Sequence, residues 1–401
     1  MKKYLDDIDL TYDIKAAIAE ASRCLLCIDA PCSLECPAKT DPAKFIRSLR
    51  FLNFKGGAEV IRKNNALGAV CARVCPEEKY CQKGCLRSGI DRPIQIGLLQ
   101  KFLTDFEMES GLEVYDVKPS TNKKIAIIGS GPSGLQAATT LSLLGHQVTI
   151  YEKEAKLGGY LRYGIPEFRL SNQVIDVEVE RILKLGVKVV KNHLVTNLEK
   201  LQKQYDAVIV ASGLSKGREL AEFKRHKNSV IAVDFLKEVK VKQGELTLPS
   251  NVLVIGGGDV AMDVNSTLKL LGVKQVTNVI YETFDELRAS QKEFDLAVNL
   301  KTSLIDGYEI QEVLADEVIF RHRKIQAELK VKADLVILAV GQVNETTNLG
   351  LSLSNEPTNA HLGDNLFITG DLHQGDKTVV YAIKLGKEVA ELVNQFLGGQ
   401  Q

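Results

Sequence analysis

The chain lacks a surplus of charge: 51 lysines and arginines face 51 aspartates and glutamates. No net field exists to draw it to nucleic acid or to an anionic membrane. The short basic runs Lys123–Lys124 and Arg321–Lys324 read as solvated surface. Long apolar runs are missing too; none approaches the roughly 18 residues that a spanning helix needs. The opening MKKYLDDIDL has lysines but no apolar segment behind them, so no signal peptide is expected, and the expected location is the cytoplasm. Histidine pairs at metal-binding spacing are also absent. His146, His193, His226, His322, His361 and His373 are scattered, and each reads as ordinary surface or core. Finally, no cysteine follows Cys85.

What is present is a soluble composition, 45% hydrophobic and 25% charged over 401 residues. That excludes disorder and collagen-like repeats, and at about 150 residues per domain it allows two to three domains. All eight cysteines lie between Cys24 and Cys85. A disulfide framework is a poor explanation in a reducing compartment and in a chain this long. The spacing instead gives two groups of four. The first is Cys24, Cys27, Cys32 and Cys36, the last followed by Pro37; the second is Cys71, Cys75 (followed by Pro76), Cys81 and Cys85. A cysteine run ending in Cys-Pro resembles two-cluster ferredoxins, in which the fourth cysteine serves the other cluster. Two 4Fe–4S clusters with exchanged ligands are therefore expected. All-cysteine structural zinc is the alternative, but zinc is redox-silent and would be idle beside a flavin.

Around the cysteines the pattern is helical. Residues 11–27, with Asp13 as a cap, 41–51, opening Asp-Pro, 66–75 and 93–107 all read as helices. A polar linker over 117–124 follows. From Lys124 the texture becomes strand, glycine turn, helix, strand, and the same plan returns from Asn251. Continuous Val/Ile/Leu runs at 206–213, 333–341 and 366–371 indicate parallel sheets covered on both faces. The fold class expected is α/β, with an N-terminal helical iron–sulfur domain followed by two Rossmann-like dinucleotide-binding domains. The boundaries are 1–118 for the cysteine domain, 119–245 and 343–401 for a first nucleotide domain in two parts, and 246–342 for a second one inserted in it.

Gly129-x-Gly131-x-x-Gly134 follows an apolar strand and opens a helix. The first glycine allows a tight turn, the second lets backbone approach a pyrophosphate, and the third lets helix pack on strand. Glu152 ends the next strand, placed to accept hydrogen bonds from a ribose diol. Gly256-x-Gly258-x-x-Ala261 repeats the fingerprint, and its second strand ends Tyr281-Glu282. A carboxylate there repels a 2′-phosphate and accepts from a free hydroxyl, which favours NAD over NADP; the nearby Arg288 leaves the preference incomplete. Two fingerprints imply two nucleotides, FAD and NAD(H). Gly370–Asp371 closes a late strand and reads as a further flavin contact.

At these residues the chain resembles a family. CLLCIDAPCSLECPAKTDPAKFIRSL, NNALGAVCARVCPEEKYCQKGC and PIQIGLLQKF are similar to the iron–sulfur domain of dihydropyrimidine dehydrogenases and of the small subunit of glutamate synthase. The likeness continues through GSGPSG, KLGGYLRYGIPEFRL, GGGDVAMD, AVGQ and GDKTVVYAIKLGKEVA, over nearly the whole chain. It most resembles the flavin subunit of bacterial NAD-dependent dihydropyrimidine dehydrogenase. The resemblance implies one cluster on Cys24, Cys27, Cys32 and Cys85. It implies a second on Cys36, Cys75, Cys81 and Gln100, leaving Cys71 as a non-ligand, where the count of cysteines alone suggests four and four. It places FAD on Gly129, Ser130, Gly131, Pro132, Ser133, Gly134, Glu152, Gly158, Gly159, Leu161, Arg169, Val195, Gly370, Asp371, Lys377, Thr378 and Val379. It places the nicotinamide nucleotide on Gly256, Gly257, Gly258, Asp259, Val260, Tyr281, Glu282, Arg288, Ala339, Val340 and Gly341. NADP-using relatives carry basic residues where this chain has Tyr281 and Glu282.

The route implied runs from NADH to FAD, then through the clusters to an acceptor outside the chain. No side-chain nucleophile, acid or base is required. In that family pyrimidine chemistry takes place on an FMN-bearing barrel with a cysteine proton donor, and this sequence offers neither. A separate FMN/iron–sulfur catalytic subunit that reduces uracil or thymine, reversibly, is the expected partner in a hetero-oligomer. The alternatives are a glutamate synthase small subunit, a stand-alone ferredoxin–NAD reductase, and a non-catalytic assembly protein with vestigial nucleotide folds.

Overall fold

The computed structural model describes residues 4–8, 10–351, 353 and 357–399. The chain forms two compact units. One is Asp9–Leu161, Asn172–Gly213 and Glu345–Gln401; the other is Met1–Ile8, Arg162–Ser171 and Leu214–Asn344. Two of the second unit's three segments, Arg162–Ser171 and Leu214–Asn344, interrupt the first in sequence.

In the first unit the cysteine region is helical. Helix Ile14–Ser22 starts at Asp13, whose carboxylate accepts from Ala16 N at 2.7 Å. Helix Pro42–Arg50 has Asp41 as cap and proline in its first turn, where no donor is missed. Helices Phe54–Asn64, Gly68–Val74 and Ile96–Ser110 follow. Their apolar faces meet in a core of Phe45, Ile46, Leu49, Ile61, Leu99 and Leu103, each almost wholly buried. The same unit holds a six-stranded sheet in the order His361–Gly363, Leu366–Ile368, Ala207–Val210, Lys124–Ile128, Gln147–Tyr151, Lys188–Val190. All neighbours are parallel except the first pair.

A buried charge cluster ties the cysteine helices to this sheet region. Arg62 donates through Nε to Glu107 at 2.8 Å and through Nη1 to Glu178 at 2.7 Å, and Arg181 donates to Glu178 at 3.0 Å. Glu178 also accepts from Ala69 N at 2.7 Å, holding the start of helix Gly68–Val74. Charges are balanced two against two. Deleting one partner strands another in a dry interior, at a cost of about 3–5 kcal/mol.

The second unit has a five-stranded parallel sheet in the order Ser229–Ile231, Leu335–Leu338, Asn251–Ile255, Gln275–Val279, Ser303–Ile305. An antiparallel meander, Tyr308–Val313, Glu317–His322 and Glu328–Lys332, accompanies it. The sequence reading drew the inserted domain from 246. The longest segment of the compact unit begins earlier, at Leu214, and includes Ser229–Ile231, which pairs with Leu335–Leu338 in its sheet. Within this unit the buried Lys240 donates to Ile165 O at 2.6 Å and Leu170 O at 2.8 Å, anchoring the segment Arg162–Ser171. Burial pulls its ammonium down to about 8.

Candidate functional site

The first glycine turn connects strand Lys124–Ile128 to helix Pro132–Leu143. Gly129 has φ +102°, and a Cβ there would meet Ala211 O at 2.5 Å, so only glycine fits. A Cβ on Gly134 would strike the Gly129 carbonyl, which is the close helix–strand packing that its position implies. A Cβ on Gly131, by contrast, would meet nothing within 4 Å. No side chain caps the helix that follows, and an uncapped helix start beside a glycine turn is the arrangement that receives a phosphate.

Glu152 is buried, and its carboxylate is already oriented. Oε2 accepts from Ser130 N at 3.0 Å and from Ser130 Oγ at 2.5 Å, while Oε1 accepts from Glu154 N at 2.9 Å. Gly158 N donates to Ser130 O at 3.1 Å, and a Cβ on Gly159 would press on Gly131 Cα. Gly370 lies against Ser133. Thr378 caps helix Val379–Phe396, and Lys377 Nζ ties the loop by donating to Asp371 O and His373 O. Leu161 and Val195 are buried apolar groups of this same unit. Gly129 to Gly134, Glu152, Gly158, Gly159 and Gly370 therefore form one contiguous cradle.

Arg169 is the exception. It belongs to the other compact unit, where its guanidinium is buried between Asp263, at 2.7 Å, and Glu293. Burial pushes the Asp263 carboxyl up to about 7, against the opposing pull of Arg169.

The second turn connects strand Asn251–Ile255 to helix Asp259–Leu270. Gly256 has φ +137°, and a Cβ there would collide with the Ala339 carbonyl. Gly258 again opens onto free space, and again no side chain caps the helix. Asp259 accepts from Ser290 N at 2.7 Å. Val260 is half-buried in the first turn of the same helix. Ala339 hydrogen-bonds to Ile255 O, and with Val340 and Gly341 it follows the adjacent strand Leu335–Leu338.

The strand end differs from the first. Gly129 N donates to Tyr151 O, whereas Gly256 N donates to Val279 O. The residue matching Glu152 is therefore Ile280, and Glu282 lies two positions farther along. Its carboxylate turns back toward the glycine loop, where Oε2 lies 3.0 Å from the place of a Cβ on Gly257. Arg288 approaches it at 3.8 Å and is largely exposed.

None of the eight cysteines is in a disulfide. Cys24, Cys27, Cys32 and Cys85 line one cavity, together with Leu25, Pro31, Ile46, Leu86 and Ile94. Cys36 lies near enough to Cys71, Cys75 and Cys81 to raise the pKa of each of those three. Burial pushes Cys32 up to about 11 and Cys71 up to about 12, and lifts Cys75 and Cys81 well above the usual thiol range. A thiolate in such surroundings needs a cation beside it, which the irons of a cluster supply. Among the described residues, no three His, Cys, Asp or Glu converge as they would on a single ion. Gln100 is buried and donates to Gly68 O at 2.7 Å, at the start of the helix that carries Cys71. Among the described residues, no helix is long and apolar enough to cross a membrane.

Comparison with known proteins distinguishes two regions of the chain. Residues 1–112 match the model described as dihydropyrimidine dehydrogenase domain II, 4Fe–4S cluster. Residues 123–386 match pyridine nucleotide-disulphide oxidoreductase. The chain is 52% identical to the NAD-dependent dihydropyrimidine dehydrogenase subunit PreT of Escherichia coli K12, over 99% of this chain and 98% of that protein. The chain belongs to the PreT family. A more distant relative is the NADPH glutamate synthase small chain of Azospirillum brasilense, 27% identical over 97% of this chain and 91% of that one. The thioredoxin reductase of T. acidophilum shares the fold, with a TM-score of 0.56 over 69% of this chain and 100% of that one, at 18% identity. As a PreT-family member the chain is an oxidoreductase, a subunit of an NAD-dependent dihydropyrimidine dehydrogenase. It combines a 4Fe–4S domain with a flavin- and pyridine-nucleotide-binding region.

The sequence reading missed the three groups that fix these sites from a distance. They are the Arg62–Glu107–Glu178 cluster, the Arg169–Asp263–Glu293 cluster and the meander residues Arg323 and Lys324. Only Arg169 and Asp263 carried a signal, as parts of the motifs KLGGYLRYGIPEFRL and GGGDVAMD, and neither motif reveals that the two pair.

Proposed function

We propose that this chain oxidises NADH and delivers the electrons, through FAD and two 4Fe–4S clusters, to a separate FMN-containing subunit. That subunit reduces uracil or thymine to the 5,6-dihydropyrimidine, or runs in reverse. The observation that carries the reading is the Glu152–Ser130 pair beside the open Gly131 turn, built in the same unit as both cysteine groups. When bound, FAD accepts the two electrons of a hydride and releases them singly to 4Fe–4S clusters, which carry one each. Glu152 is placed to accept from the ribose of FAD, and Gly131 and the uncapped helix to admit its pyrophosphate. Gly258 and the helix behind it serve NADH in the same way, with Glu282 disfavouring a 2′-phosphate. Cys24, Cys27, Cys32 and Cys85 would hold one cluster; Cys36, Cys75, Cys81 and Gln100 would hold the other. The balance closes: each NADH yields NAD⁺, a proton and two electrons, and each pyrimidine reduced takes two electrons and two protons, the second proton coming from solvent. The compartment proposed is the cytoplasm, and the assembly is a hetero-oligomer with the FMN subunit.

Rapid anaerobic mixing of the purified protein with NADH or NADPH tests the electron-entry role. Fast bleaching of flavin and cluster absorbance by NADH, and slow bleaching by NADPH, is expected. Failure of the loaded protein to bleach with NADH overturns the reading, and a preference for NADPH favours a glutamate synthase role. Reconstitution with a cognate FMN subunit should give uracil-dependent NADH oxidation. For the ligand set, Cys71→Ala should retain the iron of both clusters; loss of half the iron would make Cys71 a ligand in place of Gln100.

A further inference from the structure

Beyond strand Gln275–Val279, three cations and two carboxylates meet on the surface of the second unit. Arg323 follows strand Glu317–His322 and is held by its own backbone, whose N–H donates to Gly307 O at 2.8 Å. Its guanidinium lies 4.1 Å from the centroid of the Tyr281 ring. Nη1 donates to Tyr281 O at 3.0 Å and to Glu286 Oε2 at 3.1 Å. Lys324 Nζ approaches the other oxygen of Glu286 at 3.6 Å. Arg288 faces Glu282 at 3.8 Å. Glu286 also accepts from Thr283 N and so closes a capping box on the short turn Phe284–Glu286.

Taken without its carboxylates, this group of Arg288, Arg323 and Lys324 is what a phosphate monoester requires: a planar, ring-stacked guanidinium with two further cations beside it. It stands at the strand end where a dinucleotide's adenosine ribose is read. The carboxylate of Glu286 occupies two of the three cations. We propose that Glu286 is a specificity-determining residue: by engaging Arg323 and Lys324 it withholds from the 2′-phosphate of NADP(H) a basic site that the chain otherwise possesses. Discrimination then rests on two carboxylates, Glu282 by direct repulsion and Glu286 by masking cations carried on the meander. The proposal deepens the reading of this unit as the nicotinamide-nucleotide site and rests on it.

Glu286→Gln separates charge from structure, since glutamine at this position keeps the capping box. In the holoprotein, the ratio of kcat/KM for NADPH to that for NADH should rise by about tenfold, the scale of one charge-assisted hydrogen bond. NADP⁺ should bind correspondingly more tightly in equilibrium titration. Raising the salt should shrink the gain, because the cations are exposed. Adding Arg323→Gln to Glu286→Gln should return the ratio toward the wild-type value. A ratio within about twofold of wild type in Glu286→Gln, with NADH still oxidised, overturns the masking role. A different result sinks the underlying reading instead: NADH binding that is indifferent both to Glu282→Gln and to Gly256→Ala would mean that the nucleotide does not occupy this unit's glycine turn.

Discussion

The two nucleotide cradles end their second strands in the same three residues, Ile150-Tyr151-Glu152 and Ile280-Tyr281-Glu282, yet present them differently. In the first, register with Lys124–Ile128 puts Glu152 directly after the last paired residue, where Ser130 and the backbone of Glu154 lock it. In the second, register with Asn251–Ile255 ends at Val279, so the tripeptide runs on beyond the ladder. Ile280 is wholly buried, Tyr281 is 52% exposed under Arg323, and the Glu282 side chain is 26% exposed. A slip of two residues keeps each side chain on its own face of the strand but moves the carboxylate from the interior to the rim. A buried, preoriented acceptor suits a nucleotide that stays. A rim acceptor suits one that exchanges at every turnover.

The largest test of this contrast is at the first glycine of each turn. Gly129→Ala should abolish flavin retention, since it strains a positive φ and drives Cβ into Ala211 O. Gly256→Ala should abolish NADH oxidation while the purified protein keeps its flavin spectrum. If both variants lose flavin, the two cradles do not serve separate ligands. A smaller test is at the acids. Glu152→Gln should weaken flavin binding by about ten- to a hundredfold, the worth of hydrogen bonds to a buried charge. Glu282→Gln should raise KM for NADH by only about two- to fivefold, as for an exposed polar contact. Equal losses at the two sites would break the comparison between resident and exchanging ligands.

Much of this was legible in the sequence, because the signals are local. Asp13 and Asp41-Pro42 mark helix starts that form where they stand, and both glycine turns obey short-range steric rules. The pairing of Cys85 with Cys24, Cys27 and Cys32 came from the family resemblance, and those four side chains do line one cavity. Registry was not legible: Ile-Tyr-Glu reads the same twice, and only the ladder partner reveals the two-residue slip. The buried ion clusters were hidden for the same reason. Arg62 and Glu178 are far apart in sequence, and each looks like an ordinary helix-surface charge until tertiary packing dries it. The unit boundary at Leu214 likewise depends on a strand pairing that no turn residue announces.

A further contrast concerns the helices behind the two turns. Gln136 and Asp263 hold the same place after their fingerprints, yet one is neutral and the other acidic. Gln136 accepts from Ala66 N at 2.9 Å, a bond indifferent to pH. Asp263 shares Arg169 with Glu293 and feels Asp259 as well, and burial carries its pKa up to about 7 from an ordinary value of 3.8. An acid whose pKa is raised by folding contributes stability that is complete below its unfolded pKa and is lost as pH climbs through the folded one. From pH 5 to 8 the wild type should therefore lose stability relative to Asp263→Asn, by about 1–3 kcal/mol. Paired urea titrations of the two proteins across that range read the difference directly, since every other titrating group is common to both. Gln136→Glu should introduce a comparable slope into the first cradle. Parallel curves for wild type and Asp263→Asn would mean that Arg169 holds Asp263 ionised throughout, and the two helices would then differ in charge but not in their response to pH.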